Sequence, residues 1–195
     1  MKKLIIVILV TAVVLLGTTF ALAGITEANA QAAHLRDLQT LLPGSESFTL
    51  EVYYGEDANI RSVHKAENGF VIETVTYGYA GEITMLIGVS NEGRVTGLVV
   101  RELHETYGLG ANALTDVDFL AQFLNGSGEF AIATTGEDAF SGATAEVSES
   151  TGDTTDVDAM TGATVTSKAI VRAINSAIAY VTGADVTSAA TSWGG

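Results

Sequence analysis

Cysteine is absent from the 195-residue chain. That excludes disulfides, cysteine-bound zinc, thiolate-held iron–sulfur clusters and a lipid-modified N-terminal cysteine. Basic residues are scarce: 9 Lys and Arg stand against 23 Asp and Glu, for a net charge of −14. A chain this acidic does not neutralise phosphates, so nucleic-acid binding is excluded. Binding to anionic lipid headgroups through a basic face is excluded for the same reason. Proline occurs once, at Pro43. The histidines, His34, His64 and His104, are too scattered to suggest a metal cage, and no metal site is expected. Acidic residues are missing altogether from Met1–Gly24.

What is present begins with that segment. Leu4–Ala23 is a run of 20 residues without a charge. At 1.5 Å per residue it spans about 30 Å, the thickness of a bilayer core. Lys2 and Lys3 precede it, so the positive-inside rule places Met1 in the cytoplasm and the body outside. A cleaved signal peptide is the competing reading, because Ala21-Leu22-Ala23 and Ala28-Asn29-Ala30 resemble cleavage sites. The run exceeds the usual apolar region of a signal peptide, which favours a retained single-pass anchor. Either way the body is delivered across the membrane.

The body reads as one α+β domain, 47% hydrophobic content being enough for a core. Ile25–Leu42 carries apolar residues at helical spacing, and Pro43-Gly44 stops it. Phe48, Leu50 and Val52 alternate. Phe70–Tyr79 is rich in strand formers, and Ile83, Met85, Ile87 and Val89 alternate again. Asn91-Glu92-Gly93 is a turn into a strand over Val95–Leu103, which predicts a half-buried hairpin. Asp116–Leu124 suggests a short helix. Ala143–Val157 reads as a solvated loop. Ser167–Thr182 is the clearest helix, with Ile170, Ala173, Ile174, Ala177, Ile178 and Val181 in one stripe and Gly183 as its cap. The expected organisation is an anchor over 1–24, a linker helix over 25–44, a domain over 45–183 and a tail over 184–195. The expected fold is an N-terminal transmembrane helix followed by an antiparallel sheet packed with helices.

Two motifs carry chemistry. Asp158-Ala159-Met160-Thr161-Gly162-Ala163-Thr164 is a small-residue turn feeding the last helix. Gly162 and Ala163 let a ligand approach the backbone, and the helix start favours an anion. Thr161, Thr166 and Ser167 offer hydroxyls to phosphate oxygens, and Lys168 a balancing charge. The bland alternative is an ordinary helix start capped by Thr166 or Ser167. The second motif, His104-Glu105-Thr106-Tyr107-Gly108-Leu109-Gly110, follows a strand directly. Gly108 and Gly110 permit backbone shapes closed to other residues, and loops at strand ends often line sites. Its bland alternative is a decorated turn. Asp153, Asp156 and Asp158 lack the glycine and distal glutamate of a calcium loop and read as a solvated acidic turn.

Taken together, the two motifs resemble the FMN-binding domain family of the RnfG and NqrC subunits of bacterial respiratory complexes. The resemblance runs from the N-terminal segment through Gly78-Tyr79-Ala80-Gly81-Glu82-Ile83, Gly88–Gly97 and the His-Glu-Thr-x-Gly-Leu-Gly loop to the Thr-Gly-Ala-Thr turn and its helix. The length is closer to RnfG. The resemblance implies that Thr164 carries FMN through a phosphoester, installed by a flavin transferase of the ApbE type with FAD as donor. It implies an attachment residue rather than a catalytic one, with the ring against the loop from His104 to Gly110 and Tyr77, Tyr79 or Tyr107 as stacking candidates. It implies electron transfer between neighbouring membrane redox subunits, in an Rnf-type ferredoxin:NAD oxidoreductase coupled to ion transport. No nicotinamide site or ion channel is apparent in this chain. The alternatives are a stand-alone anchored flavoprotein carrier, an NqrC-type subunit, or a non-redox anchored scaffold; the acceptor motif argues against the last.

Two departures stand out. Tyr107 occupies a position where the family loop usually has proline, which would fix φ near −65°. A near-copy of the acceptor motif, Asp138-Ala139-Phe140-Ser141-Gly142-Ala143-Thr144, precedes an acidic stretch without a helical stripe. Thr164 is therefore the expected acceptor and Thr144 the lesser candidate.

Overall fold

The computed structural model describes residues 29, 31–114, 116–133 and 154–183. The expected anchor, the near-copy of the acceptor motif and the tail beyond Gly183 lie outside them. No helix among the described residues is long and apolar enough to cross a membrane.

The chain divides into two units, Met1–Asp37 and Leu38–Gly195. The described residues of the first are helical and mostly exposed. Helix α1, over 31–41, ends in the second unit at Pro43 and Gly44, whose φ is +88°. Both were the expected stop.

Five strands follow in order of sequence: β1 (Thr49–Glu51), β2 (Ile60–Lys65), β3 (Gly69–Tyr77), β4 (Glu82–Ser90) and β5 (Val95–Leu103). They form one antiparallel sheet, each strand paired with the next. The turn before β5 is closed by the Gly93 amide donating to Ser90 O at 2.9 Å, with Gly93 at φ +77°. The hairpin of β4 and β5 was legible, and β5 is half-buried as expected, but β4 is not. β4 is buried along seven consecutive residues. Ile83, Met85, Ile87 and Val89 face one core, while Leu86 joins Leu38, Leu41, Leu42 and Val71 in a second core on the opposite face. The end of α1 covers that second face. The apolar alternation of Phe48, Leu50 and Val52 is misleading: Leu50 and Val52 are exposed at the sheet edge.

The first core is filled by helix α3 (Thr164–Thr182), whose Ile170, Ala173, Ile174, Ala177 and Ile178 lie against the sheet. Gly183, at φ +67°, ends it as expected. A 3-10 turn (Gly110–Leu114) and a short helix α2 (Val117–Ala121) precede β6 (Glu129–Ile132). Asp116 caps α2 by accepting from the Phe119 amide, and Phe119, Phe123 and Phe130 stack edge to face. β6 pairs in parallel with β7 (Thr154–Val157). The expected loop over Ala143–Val157 is thus corrected at its end. Asn175 on α3 donates to and accepts from the Phe130 backbone, at 2.9 and 3.0 Å, so a side-chain amide extends the β6 edge. The sequence offers Thr154–Val157 too little hydrophobicity to betray a strand; only Val157 is buried.

Candidate functional site

Antiparallel register brings three segments together at one end of the sheet. Tyr77 pairs with Glu82 and Ile83 with Leu103, so the β3–β4 turn and the loop after β5 are neighbours. The Gly78 amide closes the turn by donating to Gly81 O at 2.9 Å. The His104 amide continues the ladder, donating to Glu82 O at 3.0 Å. A β-carbon on Gly81 would stand 2.8 Å from His104 O, so glycine is what lets turn and loop touch.

Glu105 ties them further. Its Oε2 accepts from the Ala80 amide at 3.2 Å. Its Oε1 is buried without a hydrogen-bond partner among the described residues. Beyond it the loop tightens: Thr106 O accepts from the Leu109 and Ala111 amides, and Gly108 adopts φ +81°. His104, Thr106, Tyr107, Gly108 and Leu109 are exposed, while Gly110 is buried. Tyr107, where proline was expected, is 97% exposed.

The turn over residues 158–164 is fixed from both sides. Gln122 brackets Asp158: its Oε1 accepts from the Asp158 amide at 2.7 Å and its Nε2 donates to Asp158 O at 3.3 Å. Met160 is buried, and its amide donates to Ser167 Oγ at 3.0 Å. Ser167 Oγ in turn donates to Ala163 O at 3.0 Å. Gly162 turns the chain at φ +72°. The helix begins at Thr164, three residues before the expected start, with Ala163 as N-cap and no side-chain cap. Capping by Thr166 or Ser167 is therefore corrected. Both are buried inside the first turn, and the Ser167 hydroxyl is committed internally. Thr161 and Gly162 are exposed and Thr164 is partly exposed.

The first intrahelical bond is donated by the Ser167 amide to Ala163 O. The amides of Thr164, Val165 and Thr166 have no acceptor within the helix, which is the usual state of a helix start and a favourable place for an anion. The two sequence motifs meet here. A β-carbon on Gly110 would stand 2.5 Å from Thr166 Oγ1 and 3.0 Å from Glu105 Oε2. One on Gly162 would stand 3.1 Å from Leu109 Cδ2. The loop and the turn are thus packed to the limit that glycine allows. Of the three aromatic candidates, Tyr77 ends β3, Tyr79 belongs to the β3–β4 turn and Tyr107 to the loop, all exposed. Sequence reasoning missed Gln122 and the tie from Glu105 to Ala80. Neither has a local signal, since each depends on strand register.

The sequence profile of the FMN-binding domain matches residues 78–179, more than half of the chain. The chain belongs to the FMN-binding domain family. A 65-residue segment is 43% identical to the G subunit of the Na(+)-translocating ferredoxin:NAD(+) oxidoreductase complex of Acetobacterium woodii. That segment covers 33% of this chain and 28% of that protein. The C subunit of the Na(+)-translocating NADH-quinone reductase from Parabacteroides distasonis aligns with a TM-score of 0.48 at 19% identity, over 70% of this chain and 76% of that one. NqrC of Shewanella oneidensis aligns with a TM-score of 0.43 at 20% identity, over 70% and 65%.

Proposed function

We propose that this protein is an extracytoplasmic, membrane-anchored electron-transfer subunit of an Rnf-type complex, carrying FMN through a phosphoester on Thr164. One observation carries the reading: a partly exposed threonine opens α3 at an uncapped helix start, against a glycine-bearing loop. The residues suit the group. Free amides and the positive end of the helix dipole favour the phosphate. Glu105 Oε1 is a buried acceptor with no donor among the described residues, and it lies beside the loop, where a ligand could supply the hydrogen bond. FMN brings ribityl hydroxyls and a ring N–H as donors.

The bound flavin would supply reversible electron uptake. Residues of this chain do the rest. The α3 start holds the phosphate. Thr161 and Lys168 border it from the exposed side. Gly108, Leu109 and Gly110 present backbone and one aliphatic side chain to the ring. A phosphoester leaves the ring unaltered, so pocket contacts set its potential. A tether also keeps the flavin's effective concentration independent of dilution outside the cell. Partner subunits of the complex supply the nicotinamide and ion-transport steps.

Produced together with an ApbE-type flavin transferase, the protein should give a flavin-fluorescent band on a denaturing gel. Thr164→Val removes the hydroxyl at nearly constant volume and should abolish the band, while Thr144→Val should leave it. The opposite pattern moves the attachment to the near-copy of the motif. A wild-type chain that never becomes fluorescent overturns the reading. Copurification with integral-membrane redox subunits distinguishes the complex subunit from a stand-alone carrier.

A further inference from the structure

One charged group on α3 lies away from the proposed phosphate site. Arg172 lies on α3 two turns beyond Thr164, with Lys168 between them. Residues at this spacing share one side of a helix, here spanning about 12 Å of axis. Arg172 donates from Nη2 to Tyr77 O at 2.9 Å. Arg172 is exposed to solvent, and the part of it that its neighbours cover holds its pKa below the ordinary arginine value.

Arg94 is held in the same way, its Nη1 donating to Asn125 O at 3.0 Å, and what sets Arg172 apart is its place on the helix that Thr164 opens. In a chain of net charge −14, arginines and lysines have carboxylates to choose from. Arg61 pairs with Glu73 and Glu82, and Lys65 with Glu51. Among the described residues, neither Lys168 nor Arg172 is paired with a carboxylate. An exposed guanidinium held by one carbonyl stays open to an anionic or electron-rich ligand. It also keeps N–H donors to spare, because a guanidinium has five.

The place fits a ligand as well as the charge does. With the phosphate tied at Thr164, a flavin lying along this side of α3 would extend toward Lys168 and Arg172. Thr166, packed on Gly110, and Arg172, bonded to Tyr77, mark two places where α3 meets the sheet end that carries the loop and the turn. We propose that Arg172 is the cation of the flavin site, anchoring the end of the flavin remote from the phosphate and raising its reduction potential. The inference rests on the flavin reading above. Reduction adds negative charge to the ring, so a fixed guanidinium favours the reduced form. Lys168 occupies the middle of the same side, nearer the phosphate.

The test uses the full chain, loaded by a flavin transferase, with midpoint potential read by spectroelectrochemical titration. Arg172→Gln should shift the potential downward, and Arg172→Lys should restore most of the wild-type value. Arg94→Gln, at the opposite end of the sheet, should leave it unchanged. Arg172→His puts a titratable charge at the position, so its potential should show an added pH-dependent step near the imidazole pKa of about 6.5. An unchanged potential in Arg172→Gln, or no added step in Arg172→His, overturns the proposal and leaves Arg172 as a structural tie to Tyr77. If wild type takes up no flavin, the underlying reading fails first and this proposal falls with it.

Discussion

Gly108 and Gly110 sit two residues apart and are needed for different reasons. Gly108 has φ +81° and nothing within 4 Å of where a β-carbon would stand, so alanine there meets only backbone strain. That costs about 1–2 kcal/mol. Gly110 has no room, its β-carbon position lying against Thr166 and Glu105. Gly110→Ala should destabilise the protein by about 1–3 kcal/mol, the usual range for overpacking. It should also reduce flavin attachment, because the proposed acceptor turn is pushed aside; Gly108→Ala should lower stability while sparing attachment. Denaturant unfolding and gel fluorescence check the pair. Tyr180 gives a pH prediction. Burial first, then the charge of Glu51 that its hydroxyl faces at 3.4 Å, raises its pKa above the ordinary 10.0. The native state therefore holds this proton more tightly than the unfolded chain. The stability it lends is complete below the unfolded pKa and is lost as pH rises through the native one. Wild type should lose stability above about pH 10, and Tyr180→Phe should flatten that alkaline limb in pH-dependent melts.

At the scale of elements, the glycines of the β4–β5 hairpin seat a helix. Gly88 pairs with Gly97 across β4 and β5, and the end of α1 lies over both. A β-carbon on Gly97 would stand 2.9 Å from Leu41 Cα. Thr96 Oγ1 fixes the seat by donating to Leu41 O at 2.6 Å. Gly97→Val should unseat the helix end at a cost of about 1–3 kcal/mol and expose Leu38–Leu42 to proteolysis, read by limited digestion. The same contacts explain what was legible. α3, α2, β5 and the turn at Gly93 announce themselves through local periodicity and turn chemistry. β2 does not, because Ile60 and Val63 are its buried apolar residues and three positions separate them. The double burial of β4 was hidden because its outward residues, Thr84 and Gly88, look like a solvated face. Both motifs were visible as strings, but their contact through Gly110 and Gly162 exists only once the sheet registers. The helix start was misread by three residues because hydroxyls at Thr166 and Ser167 resemble caps and serve the interior instead.

At the scale of the whole molecule, the proposed anchor sets the setting in which the flavin domain works. If Leu4–Ala23 is retained, the mature protein begins at or near Met1 and stays with membranes through an alkaline wash. An N-terminus at Gly24 or Gln31 by mass spectrometry establishes cleavage instead. The position of α3 has a consequence for biosynthesis. It is the latest described element to leave the ribosome, yet Ile170, Ile174 and Ile178 fill the core on which the sheet closes. The proposed attachment residue begins that same helix. A chain cut short before α3 lacks its core and its acceptor together, so it can neither fold nor be charged with flavin. Prosthetic-group loading then counts only translated-through, closed molecules, and the ratio of flavin to protein becomes a direct assay of how much of a preparation has matured.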